Sequence, residues 1–218
     1  MDQKYQILNR QMPFSATYYY QKSEVLYQLT FAFCRRFLPT HGDRTVDQMI
    51  QAARSGKQNI VEGTEDGVSS TEMQLKLLNV ARASLQELRE DYKDYLTARN
   101  LPIWDDSNPR FPTMRKFCST HNTLDAFKPF LECWSDEEMA NVALTLCHQT
   151  DSLLNKHLKR LESEFVEQGG IKERMYAART GYRQQEQKEL AQLRSENELL
   201  KKEISRLKDI LKVNGIKY

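Results

Sequence analysis

Residues 51–63 read QAARSGKQNIVEG, and the reading of this stretch decides the fold. Small residues and one polar stripe stand where an amphipathic helix would place leucines. Ala52, Gly56, Asn59 and Gly63 recur at steps of four and three, so they share a helix face and form a smooth ridge. Ser55, Gln58, Asn59 and Glu62 make an adjoining stripe able to hydrogen-bond across a close helix approach. A phosphate loop needs closely spaced glycines between a strand and a helix N-terminus. Here the glycines lie inside and after a helical pattern, and no strand precedes them. No histidine lies nearby to act as a base. The spacing predicts a helix seam at Ala52, Ser55, Gly56, Asn59, Glu62 and Gly63, formed within the fold or between copies of the chain.

Outward from this seam the chain reads as helix after helix. Val25, Leu26, Leu29, Phe33 and Phe37 form one face over Tyr18 to Leu38. The seam's own helix carries Val46, Met49, Ile50, Ala53 and Ile60, with Asp43 as its expected N-cap. Gly63, Glu65, Asp66 and Gly67 are expected to form the turn after it. Ser69 or Ser70 then opens a long third helix through Met73, Leu77, Val80, Ala81, Ser84, Leu88, Tyr92 and Tyr95. Pro102, Pro109, Pro112 and Pro129 interrupt residues 100–135. That stretch reads as an irregular crossover anchored by Trp104, Phe111, Phe117, Phe127, Phe130 and Trp134. Ser135 precedes DEEM, acids suited to the positive end of a helix dipole. The fourth long helix turns Met139, Val142, Ala143, Leu146, Leu153, Leu154, Leu158, Leu161 and Phe165 inward.

Four amphipathic helices with wide apolar faces satisfy one another as a bundle. The expected fold is all-α: an antiparallel up-down four-helix bundle followed by a C-terminal parallel coiled coil. Residues 1–16 form an N-terminal arm, 17–168 the bundle, 169–188 a basic connector helix and 189–213 a leucine-zipper-like coil.

Composition agrees. The 218 residues are 39% hydrophobic and 28% charged, and 8 Gly with 6 Pro are too few for an all-β design. No run of about eighteen apolar residues exists to span a membrane. The opening MDQKYQILNRQM lacks an apolar core, so secretion is not expected. Scattered Cys34, Cys118, Cys133 and Cys147 fit reduced thiols in a cytoplasm. The net charge of +2 is uneven: residues 169–218 carry 12 Lys/Arg against 7 Asp/Glu, and the rest 20 against 23.

The last fifty residues hold the sharpest pattern. Leu190, Leu193, Asn197, Leu200, Ile204, Leu207 and Leu211 alternate steps of three and four. With Leu190, Asn197, Ile204 and Leu211 at a, the leucines 193, 200 and 207 stand at d. Leucine at d with a single Asn at a favours two parallel strands, because the Asn pairs with its twin. Glu189, Glu196 and Glu203 fall at g, and Arg194, Lys201 and Lys208 at e. In a parallel pair each g residue faces the partner's e residue five positions on, and all three pairings attract. Such pairs contribute only a few tenths of a kcal/mol each, so they select orientation rather than set affinity.

Upstream, IKERMYAARTGYRQQ (171–185) places Arg183 ten residues before Leu193, the register of a basic-leucine-zipper protein. Met175 stands where that family carries its base-reading asparagine, so sequence-specific DNA reading is not expected. Lys172, Arg174, Arg179, Arg183 and Lys188 remain candidates for phosphate contact with RNA or DNA.

No catalytic constellation, metal site or cofactor site is expected. Cys118, His121, Cys133, Cys147 and His148 do not form paired C-x-x-C knuckles. Glu87, Glu90, Asp91 and Asp94 interleave with Arg89 and Lys93 as a solvated helix edge does. His157 reads as a packed or capping residue, and Tyr18, Tyr19 and Tyr20 as packing at the edge of the core.

The run Asn59-Ile60-Val61-Glu62-Gly63, with Ala53 and Ser55 ahead of it, resembles the signature of the four-helix-bundle proteins encoded in 23S rRNA intervening sequences. Ala81, Ser84, Leu85 and Glu87 resemble that family's third-helix motif. More narrowly, residues 52–63, Leu101 to Trp104, Ala140 to Gln149 and Gly169 to Arg174 together are similar to the four helix bundle suffix domain. The likeness covers roughly residues 15 to 183 and stops before the zipper. It implies a bacterial up-down bundle without known enzymatic activity. It also implies kinship with the accessory variability determinant of diversity-generating retroelements, a bundle that forms a ring of five and works with a reverse transcriptase and RNA.

The expected function is therefore a non-enzymatic, oligomeric adaptor or scaffold. Its partners would be a second copy in a parallel dimer, or a family-like pentamer, together with an unidentified protein. The alternative is an accessory of a nucleic acid or ribonucleoprotein that uses the basic connector.

Overall fold

The structure, a computed structural model, describes residues 13–39, 44–66 and 70–214. Asp43, Gly67, Ser69 and most of the N-terminal arm lie outside the described residues. All regular elements among the described residues are helical: α1 (Tyr18–Phe37), α2 (Arg44–Asp66), α3 (Thr71–Ala98), α4 (Phe111–Thr120), α5 (Leu124–Phe127), α6 (Asp136–Gln168) and α7 (Ile171–Val213), with short 3-10 turns at Phe14–Ala16 and Lys128–Phe130. One unit spans Leu8–Ile171; α7 beyond Ile171 belongs to a second.

Local chemistry sets the helix ends. Leu38 is extended, as a residue before proline must be, and α1 stops there. Ser70 caps α3 by accepting from Met73 N at 3.2 Å. At the other end Asn100 takes a left-handed conformation (φ 53°), one that asparagine tolerates better than most residues. Leu101 N then donates to Leu96 O at 2.9 Å and Asn100 N to Thr97 O at 3.1 Å, closing the last carbonyls of α3. Ser135 and Glu138 form a reciprocal capping box that opens α6, and Gly169 (φ 70°) follows its last turn.

In the first unit α1 packs on α2 and α6, and α3 also packs on α2 and α6, around one core. At its centre Phe33 meets Tyr92 and Tyr95 edge-on at 5.0 and 4.7 Å, and the Tyr92 hydroxyl donates to Thr30 Oγ1 at 3.0 Å. Nine successive residues of α6, Met139 to Cys147, are buried. One inward stripe would not do that. The crossover supplies the remaining cover, with α4 packed against α6 and Phe117, Phe127 and Trp134 meeting at 5.1–6.5 Å. Two cations of α1 hold the crossover's backbone: Lys22 Nζ donates to Cys118 O and Arg36 Nη1 to Leu131 O. Lys22 is itself buried, and desolvation holds its ammonium below the usual lysine range.

Two expectations need correction. Gly63 and Glu65 do not belong to a turn, because α2 runs on to Asp66; contact with α3 carries the helix past its glycine. The inward face of α3 is the expected one at Ala81, Ser84, Leu88, Tyr92 and Tyr95, all buried, and departs from it toward the start of the helix. Met73 and Val80 are exposed, whereas Gln74, Leu78 and Leu85 are buried. The buried face is wider than one stripe because both α2 and α6 pack on α3.

His157 of α6 stacks on Tyr19 of α1, ring centroids 5.3 Å apart, and its Nε2 is buried without a partner among the described residues. Burial, and then the charge of Arg160, push this imidazole down to about 4. The fold therefore holds a neutral ring that the unfolded chain protonates near 6.5. Its contribution is complete above that value and is lost as pH falls toward about 4. Replacing His157→Phe should leave the melting temperature above pH 7 little changed. Below it, the variant should melt progressively higher than the parent as acid is added, read by thermal denaturation across the window.

Candidate assembly stripe and helix seam

The ridge of α2 lies against α3. A Cβ on Gly56 would stand 2.8 Å from Leu85 Cδ2 and 3.0 Å from Leu85 Cγ. One on Gly63 would stand 3.1 Å from Leu77 Cβ and 3.3 Å from Leu78 Cγ. Ala52 is buried beside them. The polar stripe forms a short ladder at the outer edge: Ser55 Oγ lies 3.0 Å from Ser84 Oγ, and Asn59 Nδ2 donates to Ser55 O at 2.9 Å and to Ser55 Oγ at 3.2 Å. Glu62 is exposed and stands outside that ladder. Toward the start of α2 the two helices part into an open groove of about 690 Å³, with Arg44, Asp47, Ser55, Ser84, Glu87 and Asp91 among its walls. Burial, then the neighbouring Asp94 and Glu87, raise the Asp91 carboxyl above its usual range.

The long helix α7 is continuous for 43 residues, through Gly181 and past position 189, so connector and coil are one element. Leu193 and Leu200 are 56% and 58% exposed. Leu190, Ile204 and Leu207 are similarly uncovered, and Leu211 is half-buried. Asn197 Nδ2 donates back to Leu193 O at 3.1 Å. Glu189, Arg194, Glu196, Lys201, Glu203 and Lys208 are all exposed along the flanks. Lys201 pairs weakly with Glu198 at 3.7 Å and Arg206 with Glu203 at 4.0 Å within the helix. Of the basic candidates, Lys172, Arg179, Arg183 and Lys188 are exposed, and Arg174 is half-buried.

The four cysteines form no disulfide; Cys34, Cys118 and Cys147 are buried and Cys133 is exposed. Burial pushes the Cys118 and Cys147 thiols up to about 12, which leaves almost no thiolate for nucleophilic work near neutrality. Among the described residues no group of three or more His, Cys, Asp or Glu is placed to hold a metal ion. No described helix is long and apolar enough to cross a membrane.

One arrangement has a sequence signal that periodicity alone does not use. Asn141 stands inside the apolar run of α6, and its amide clamps the LPIW segment. Its Oδ1 accepts from Trp104 N at 2.7 Å, and its Nδ2 donates to Pro102 O at 3.0 Å and Glu137 O at 2.8 Å. Glu137 accepts from Trp104 Nε1 at 2.7 Å and Arg110 Nη2 at 2.8 Å, and the Arg110 guanidinium lies 4.3 Å over the indole. A buried amide in an apolar run implies a backbone partner. No family model, curated protein or solved structure matches the chain.

Gly56→Ala should gain about 1 kcal/mol of helix propensity and lose about 1–3 kcal/mol to overpacking against Leu85. The expected net is a loss of about 1 kcal/mol in urea unfolding, with Gly56→Ala and Leu85→Ala together costing less than their sum. For Asp91, a carboxyl held above 3.8 favours the protonated fold, so its contribution is lost as pH rises through the raised value. Asp91→Asn should therefore melt higher than the parent at pH 7, and the gap should close in acid below about pH 3.8.

Proposed function

We propose that this protein is a non-enzymatic assembly module: an up-down four-helix bundle joined to its twin through a parallel two-stranded coil in α7. One observation carries the reading. An unbroken helix exposes Leu190, Leu193, Leu200, Ile204 and Leu207 on a single stripe while the first unit buries its own apolar faces. Exposed apolar stripes of this regularity mark a partner surface. The g and e charges on either flank favour a parallel copy of the same chain, with Asn197 facing Asn197 to hold the register.

The order of cross-links supports alternating helix directions. Arg82 pairs with Asp151 at 2.8 Å, and Tyr95, later in α3, bonds Asp136, earlier in α6, at 3.0 Å. Gly56 meets Leu85, whereas Gly63 meets Leu77 and Leu78. The motif resemblance to intervening-sequence bundle proteins points the same way, as does an exposed free Cys133 for a cytoplasmic site of action. The assembly would hold two bundles, and whatever each binds, in one complex.

Mass in solution by light scattering should give a dimer for the full chain and a monomer for Leu200→Glu and for a chain ending at Gln168. With Cys133→Ser in the background, Asn197→Cys should oxidise to a disulfide-linked dimer, since only parallel strands bring position 197 beside its twin. A pentamer indifferent to Leu200→Glu would sink the coil and move assembly to the α2–α3 side.

A further inference from the structure

The continuity of α7 through Gly181 lets the register of the leucine stripe run back toward its N-terminus. Counting down from Leu190, the same stripe passes through Glu186, Arg183, Arg179, Tyr176 and Lys172 at steps of four and three. The leucine half is apolar; this half presents three cations and an aromatic ring, with one acid, Glu186, next to the leucines. Arg174, Gly181 and Lys188 all fall seven residues apart on the opposite side of the helix. The five basic candidates therefore divide into a stripe of three and a back face of two. Lys172, Arg179 and Arg183 are exposed and make no hydrogen bond or ion pair among the described residues. Tyr176, between them, is 74% exposed.

Resting on the two-stranded reading, we propose that the two α7 helices diverge above Leu190 and that their paired Lys172, Tyr176, Arg179 and Arg183 stripes form a cleft for single-stranded nucleic acid. In a parallel pair each cation would face its own twin, and like charges in a desolvated seam repel strongly. The flank pairings at this level, Met175 with Thr180 and Tyr182 with Gln187, carry no charge where the leucine half has Glu with Arg or Lys; the acids here, Glu173 beside Lys172 and Glu186 beyond Arg183, offset the cations only in part. The helices cannot close there, and six cations are left looking into the gap. A phosphodiester chain neutralises them. The tyrosine on the same stripe selects among polyanions, since its ring stacks on unpaired bases and finds no use for an acidic peptide or a closed duplex. One copy carries half the cleft, so the site is complete only in the dimer. From Lys172 to Arg183 the stripe rises about 17 Å along the helix.

The test uses the full chain with fluorescent oligonucleotides of about 16 nucleotides, a duplex of the same length, an abasic oligonucleotide and an acidic peptide. Mass in solution and helical circular dichroism are measured on the same samples. The expected result is preference for the single strand over the duplex and the abasic chain, with a log–log salt slope of about −4 for six phosphate contacts. Lys172→Ala/Arg179→Ala/Arg183→Ala should weaken binding at least about a hundredfold at 0.1 M salt and flatten the slope. Arg174→Ala/Lys188→Ala, on the same helix, should change it by less than about fivefold. Tyr176→Ala should lower affinity for the oligonucleotide and leave the abasic chain unaffected. Leu200→Glu, as a monomer, should lose most of the binding. Equal losses from the stripe and back-face variants, tighter duplex than single-strand binding, or no binding by a parent that is dimeric would each overturn the cleft while leaving the coil intact. A parent that is not a dimer overturns the coil itself.

Discussion

Burial of α6 on every side from Met139 to Cys147 is the constraint around which the first unit is arranged. A helix with one apolar stripe needs neighbours on one side; a helix enclosed all round needs them everywhere. The long helices α1 and α3 cover two flanks. The crossover must cover the rest, which explains why a segment broken by four prolines still carries Phe117, Phe127 and Trp134 as a packed aromatic cluster. It also explains the polar atoms found at that interface. Backbone carbonyls brought inside by an irregular chain require donors, and Lys22, Arg36 and Asn141 supply them.

Those buried polar groups are spent on holding chain segments together. The Lys22 amine is tied to Cys118 O, the Asn141 amide to Pro102 and Trp104, and Tyr92 to Thr30. Burial raises the Cys118 and Cys147 thiols and lowers the His157 imidazole, so each group is held in its neutral form near pH 7. That pattern stabilises a packed interior, because no net charge has to be kept out of water at Cys118, Cys147 or His157.

The two units apply one rule with opposite outcomes. In the first, small residues on α2 let α3 approach until Leu85 and Leu77 fill the space a side chain would take at Gly56 and Gly63. In the second, the leucines of α7 remain about half exposed, and Asn197 turns its amide onto its own helix. Amphipathicity satisfied within the chain yields a fold; left open on a long helix, it leaves an apolar stripe in contact with water.

The sequence pattern by itself determined much of this: where the long helices lie, where prolines break them, that Ser135 opens α6, and that α7 carries a leucine stripe with ordered charges. These are local properties, set within a turn or two by hydrogen-bond geometry and side-chain spacing. Tertiary structure decided what covers each face. It carried α2 past Gly63, left Met73 and Val80 of α3 exposed while burying Leu78 and Leu85, and enclosed α6 from Met139 to Cys147. It also brought Lys22 to a carbonyl 96 residues away and Trp104 to an amide 37 residues away. A repeat of three and four leaves several extents of burial around each stripe open. The choice among them rests on contacts between distant segments, which exist only once the chain has packed.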